Sequence, residues 1–217
     1  MAAISGKHGR VRFTSATATS STDNAADLST DGVTLQVTST AARLWDRSNA
    51  TALHVYDGST EVSSTDYNVT SWVLGTVSFT TPRSTSNTYT IDVETLTASY
   101  LANVRGWSVD VSVDMQDVTT LSTSTADTQW RVFKPGLSQA NASLDMLYNA
   151  DSTSFFAGDR LVADQDVVLE LVTDGTTGDR FMGYGRISGD SFDTPVDGVL
   201  GESVDVQIDG TLSYTTL

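Results

Sequence analysis

Trp107-Ser108-Val109-Asp110-Val111-Ser112-Val113-Asp114-Met115 decides the reading of this chain, because five large apolar residues alternate with four small polar ones. A period of two is the signature of a β-strand with one buried and one wet face. The same alternation returns at Val204, Val206 and Ile208, followed by Asp209-Gly210, a hairpin-type turn, and then by Leu212 and Tyr214. Leu144, Met146 and Tyr148 alternate likewise. Residues 181–187 form a glycine-interrupted strand, Val11 and Phe13 open the chain with another, and 167–172 is apolar on both faces, which predicts a central strand.

A second set of short strands is expected at 33–37, 53–56, 68–74, 76–79 and 89–96, with turns at Asp57-Gly58 and Gly75. This spacing predicts a small β module over 28–98, with Trp45, Trp72 and Phe79 as its core. Residues 1–27 and 99–217 then form the other unit. Two polar stretches, 14–27 and 117–128, are expected to be loops that contact other subunits, and one short helix is expected at 127–133, capped by Asp127 and ended by Pro135-Gly136.

Composition agrees with an all-β class. Serine and threonine exceed a quarter of the 217 residues and only 3 are proline. Twelve basic against 27 acidic residues give a net charge of −15, so no extended basic face for gripping nucleic acid is expected. Lysine occurs only at Lys7 and Lys134, an acidic bias that also suits a hydrated surface in high salt. The chain has no cysteine and only His8 and His54, which removes thiolate metal sites, cysteine nucleophiles and histidine clusters. No apolar run is long enough for a membrane helix, and the amino end lacks the apolar stretch of a secretory signal.

Catalytic signatures are missing: there is no G-x-S-x-G elbow, no phosphate-binding G-x-x-x-x-G-K loop and no H-E-x-x-H helix. Most aspartates neighbour glycine or serine in turns or lie on wet strand faces, the pattern of solvated residues rather than of an acid–base pair. Oxygen-rich runs at Asp174–Asp179 and Asp193–Gly198 lack the spacing of a calcium loop. Neither catalytic residues, nor a cofactor, nor a metal is expected.

One longer pattern carries a resemblance. It comprises the strand Trp107 to Met115, then Asp117-Val118-Thr119-Thr120, then Thr128-Gln129-Trp130-Arg131-Val132-Phe133 and Pro135-Gly136-Leu137. It ends in Ala142-Ser143-Leu144-Asp145-Met146-Leu147-Tyr148 and the closing strands around Gly185 to Phe192 and Ser203 to Leu212. It resembles the tail tube proteins of long-tailed bacterial or archaeal viruses. The resemblance covers about the carboxyl half, and 28–98 departs from a minimal tube subunit as an inserted module.

The resemblance implies an all-β sandwich or barrel with one flanking helix, assembling as rings, six copies to a ring, stacked into a conduit for viral DNA. The expected partners are copies of itself, a tape measure protein, a tail terminator and DNA in transit, without a membrane. The expected location is the virion tail, assembled in the host cytoplasm. It assigns the face of Ser108, Asp110, Ser112 and Asp114 to the lumen, and Asp117, Thr119, Thr120 and Trp130 to a contact loop between subunits or rings. The rival reading is a cell-surface, S-layer-like adhesion module, for which a signal peptide would be expected; a two-carboxylate hydrolase would need a concave site that composition does not reveal.

Overall fold

The computed structural model describes residues 10–14, 18–101, 104–118, 133–147, 167–173, 179–194, 198 and 200–215. In chain order the strands are β1 (Arg10–Thr14), β2 (Thr19–Leu28), β3 (Thr34–Val37), β4 (His54–Asp57), β5 (Thr60–Glu61), β6 (Tyr67–Ser71), β7 (Thr76–Phe79) and β8 (Tyr89–Thr95). They continue with β9 (Ser99–Tyr100), β10 (Val104–Asp117), β11 (Phe133–Leu147), β12 (Val167–Val172), β13 (Arg180–Asp193), β14 (Gly201–Ile208) and β15 (Ser213–Thr215). Two 3-10 turns, Thr40–Ala42 and Arg47–Ala52, are the only helical segments among the described residues. The fold is all-β, as the alternation predicts.

The strands make two antiparallel sheets. The first runs β10-β11-β14-β13-β12-β1-β9, with β15 also on β13; the second runs β5-β4-β8-β2-β3-β7-β6. The first sheet curls. Strands three places apart in a flat sheet lie about 14 Å from each other, yet Trp107 on β10 and Phe181 on β13 bring their rings to 6.2 Å between centroids. Val11, Leu144, Leu169, Leu171, Val204 and Val206, all 2% exposed or less, pack on the concave side.

Glycine permits the curl at one point. A Cβ on Gly185 would stand 2.7 Å from the Gln207 carbonyl oxygen and from Val206 Cγ1, so β13 can press against β14 only without a side chain there.

β12 is buried on both faces along its whole length, as its apolar run predicts. Its one charged residue, Glu170, lies between two cations: Arg12 Nη1 and Arg180 Nη1 each donate to one of its carboxylate oxygens at 2.9 Å. Three strands thus satisfy a carboxylate that would otherwise be costly to bury.

The second sheet has its own core of Trp45, Leu35, Val55, Val77, Phe79, Tyr89 and Ile91, with Trp72 packed edge-on to Trp45. The expected turns carry the expected glycines, with φ of +61° at Gly58, +61° at Gly75 and +95° at Gly210.

Three expectations are corrected. Residues 14–27 are not one long loop, because β2 occupies Thr19–Leu28 and pairs with both β3 and β8. Only Ala26 of this Ser-, Thr- and Asp-rich strand is buried, so it has no apolar alternation to read. In consequence the strand pairing places 19–28 with the second sheet, where the sequence had drawn the boundary at 28. The helix expected at 127–133 cannot reach its carboxyl end, since Phe133 starts β11 and Pro135-Gly136 lie inside that strand; 127–132 are outside the described residues.

The second sheet is inserted at a hairpin position. β1 and β9, which bracket it in sequence, are antiparallel neighbours, with Arg12 opposite Tyr100 and Phe13 opposite Ser99. The two units touch through Leu44, Val73, Val168 and Tyr184, all buried, and Tyr184 donates its hydroxyl to the Trp45 carbonyl.

Candidate assembly surface

β10 and β11 are 14 and 15 residues long, but β14 pairs with β11 only from Asn141 to Leu147. Beyond that point 111–117 and 133–140 have, among the described residues, only each other as strand partners. A two-stranded ribbon of about 23 Å, seven residues at ~3.3 Å each, therefore projects from the sheet. β10 is also the end strand of the sheet, so its outer backbone edge is unpaired among the described residues.

The two faces of this ribbon differ. Trp107 and Val109 pack into the curled core, as expected. The expectation that Val111, Val113 and Met115 continue that core is corrected: they are 59%, 43% and 62% exposed, and Phe133 joins them on this face, while Leu137, exposed as well, stands with Gly136 in the bulge opposite Asp114. The strand simply outruns the sheet that would cover it. Alternation in sequence reports which residues share a face and not whether anything lies over it.

The opposite face holds the four residues assigned to the lumen. Ser108, Asp110 and Asp114 are exposed and Ser112 is partly so. Opposite them on β11 stand Ser143, Asn141 and Gln139. Following the pairing onward, Asp145, Asp205 and Asp193 share this face, and Ser143 donates its hydroxyl to Asp205. Five aspartates thus face two cations on the same side, Lys134 and Arg186, with Arg105 in the bulge between Val104 and Gly106 at the margin.

Of the four residues expected in a contact loop, Asp117 ends β10 and is exposed, while Thr119, Thr120 and Trp130 lie outside the described residues. Phe133 and Leu137 belong to the pattern that carries the resemblance but were not assigned to a contact surface from the sequence. The signal for them was present, since Pro135-Gly136 reads as a helix stop only if the residues before it are helical.

Among the described residues no group of three or more His, Asp or Glu is placed to hold a metal, and no helix is long and apolar enough to cross a membrane. Asp190 carries a carboxylate held above its ordinary value. Burial alone pushes it up, because both its oxygens are enclosed without a hydrogen-bond donor among the described residues.

No protein-family model matches the sequence, and no curated protein does. Among solved structures the chain is similar to one in the virion of a native gene transfer agent particle, at 17% identity over 55% of this chain and 89% of that one, with a TM-score of 0.46. It is similar at the same identity and score to one in the tail of the empty particle, solved with C6 symmetry, over 55% and 87%. The tail tube of SPP1 matches at 12% identity over 57% and 70%, with a TM-score of 0.41. At these scores the likenesses carry no weight for function, which has to come from the chain's own surfaces.

Proposed function

We propose that this protein is a structural, non-enzymatic subunit that assembles through its sheet edges into rings, and by stacking of rings into a tail tube through which viral DNA passes. The observation that carries the reading is the β10–β11 ribbon. An isolated two-stranded ribbon is marginal in water, and this one has, among the described residues, an unpaired backbone edge and four exposed apolar side chains on one face, Val111, Val113, Met115 and Phe133, with Leu137 exposed in its bulge. Full burial of such a side chain yields about 1.5–3 kcal/mol, so a neighbouring copy that covers the ribbon gains several kcal/mol and removes an aggregation-prone edge.

The wet face supports the same reading. A duplex carries one charge per ~1.7 Å, and a cationic wall would hold it by counterion release; a face with five aspartates against two cations lets it slide. The sequence resemblance to tail tube proteins implies six copies per ring, a place in the virion tail, and tape measure and terminator proteins as further partners.

Electron microscopy of the purified full chain over a series of concentrations and salt tests the proposal. Rings or hollow filaments are expected, and more of them at high salt, because screening relieves repulsion between copies of net charge −15. Val111→Asp with Met115→Asp should leave the circular dichroism unchanged and abolish the filaments. A chain that stays monomeric under every condition overturns the reading.

A further inference from the structure

Three of the chain's twelve basic residues line one cleft at the seam between the two sheets. A cleft of about 270 Å³ opens there, walled by Arg12, Glu170 and Arg180 from the curled sheet and by Arg43 and Leu44 from the inserted unit. One carboxylate serves two guanidiniums: Glu170 accepts a single N–H from Arg12 and a single N–H from Arg180. Arg43 is anchored by its Nε on the Val37 carbonyl at 2.8 Å and by Nη2 on the Thr38 carbonyl at 3.2 Å, contacts that neutralise no charge. Three cations and one anion leave this wall at +2 in a chain whose net charge is −15.

The donors are under-used as well. Nε of Arg12 and Nε of Arg180 are both enclosed and donate to nothing among the described residues, whereas buried donors in folded proteins are nearly always satisfied. Each arginine side chain nevertheless keeps about a third of its surface exposed, 31% and 29%, and both line the cleft. A forked planar cation with spare N–H groups is the standard receptor for oxyanions.

We propose that this cleft binds a small oxyanion, of the size and charge of inorganic phosphate, which bridges Arg12 and Arg180 beside Glu170 and lies against the Arg43 wall. An anion seated there neutralises the excess charge and braces the inserted unit against the curled sheet. The site is lined by residues of one chain, so its test needs no assembled tube.

Thermal unfolding of the full chain in phosphate against chloride of equal ionic strength provides the test. Phosphate binding only the folded state should raise Tm saturably, by about 2–4 °C for each kcal/mol of binding linkage in a chain of this size. Arg12→Gln and Arg180→Gln should each remove that increment. Phosphorus NMR of phosphate with the native chain gives a second measurement that needs no variant: line broadening that saturates at one equivalent per chain is expected. A Tm rise that chloride reproduces, a rise that survives both substitutions, or a phosphate line left sharp by the native chain each overturns the proposal.

Discussion

Arg47 and Asp209, 162 residues apart in sequence, are joined by an ion pair of 2.7 Å between Nη2 and Oδ2. Arg47 opens the second 3-10 turn of the inserted unit, and Asp209 follows β14 of the curled sheet. The same guanidinium lies over the Tyr184 ring at 4.6 Å, and Tyr184 in turn donates to the Trp45 carbonyl. One side chain therefore fastens the two units by charge and by stacking at once.

Arg47→Ala should cost about 1–2 kcal/mol in denaturant unfolding, the sum of about 0.5–1 for a partly exposed ion pair and a similar amount for the cation–π contact. Asp209→Ala should cost about half as much, since it spares the stack. Arg47→Lys should keep the pair and lose most of the stacking, because an ammonium lacks the planar face. Arg47→Ala with unchanged stability would show that the seam is held by Leu44, Val73 and Val168 alone.

The β1–β9 pairing makes a sharp forecast about removing the inserted unit. Deletion of 18–98 with a short Gly/Ser bridge should yield a folded chain, because the bridge then closes a hairpin between neighbouring strands that already face each other at Arg12 and Tyr100. It uncovers Val168 and Tyr184 and should lower stability without abolishing folding. Deletion of 28–98 should aggregate, since it leaves β2 without β3 and β8. Circular dichroism and gel filtration of the two products separate the cases, and equal behaviour would refute the argument.

The strands were legible wherever burial imposes alternation. Trp107 and Val109, Val204 to Ile208 and the doubly buried 167–172 lie where their pattern places them, and Gly58, Gly75 and Gly210 mark the turns. Legibility failed where burial is absent. β2 has one buried residue and reads as a loop, and Val111, Val113 and Met115 alternate perfectly yet are exposed. Pro135-Gly136 misled in the opposite direction, because proline is tolerated in a ribbon whose second edge is open. The seam between the units was invisible for another reason: Arg47, Asp209, Arg12 and Glu170 come from distant segments, and no local pattern records which of them meet.

Asp190 gives a pH-dependent forecast. It stands opposite Val204, with Glu202 two residues along β14 as the other carboxylate of that face, and desolvation raises its pKa above the ordinary 3.8. The folded state then binds a proton that the unfolded state has lost, so between 3.8 and the raised value stability falls as pH rises, and above it the penalty is complete. Asp190→Asn should therefore stabilise the protein at pH 7 relative to the native chain and have no such advantage below the unfolded aspartate pKa. Denaturant midpoints of both proteins at the two pH values measure this; an equal difference at both would locate the effect in packing rather than charge.

The assignment of Ser108, Asp110, Ser112 and Asp114 to the lumen leads to the most direct forecast for function. These residues share a face with Asp145, Asp193 and Asp205 and lie opposite the apolar side of the ribbon, which subunit contact would cover. A strand whose one face is taken by a neighbour has only its other face left for a wet channel. Asp110→Lys with Asp114→Lys replaces two negative charges by two positive ones in each copy, a change of four that every ring repeats. Both positions are exposed, so folding and assembly should survive. Cationic belts around a passing duplex would then bind phosphates, with an affinity that falls steeply with salt. Particles built from the double variant should release DNA slowly at low ionic strength and recover toward the normal rate as salt rises. Release at the normal rate at low salt, from particles of normal appearance, would place this face outside the channel.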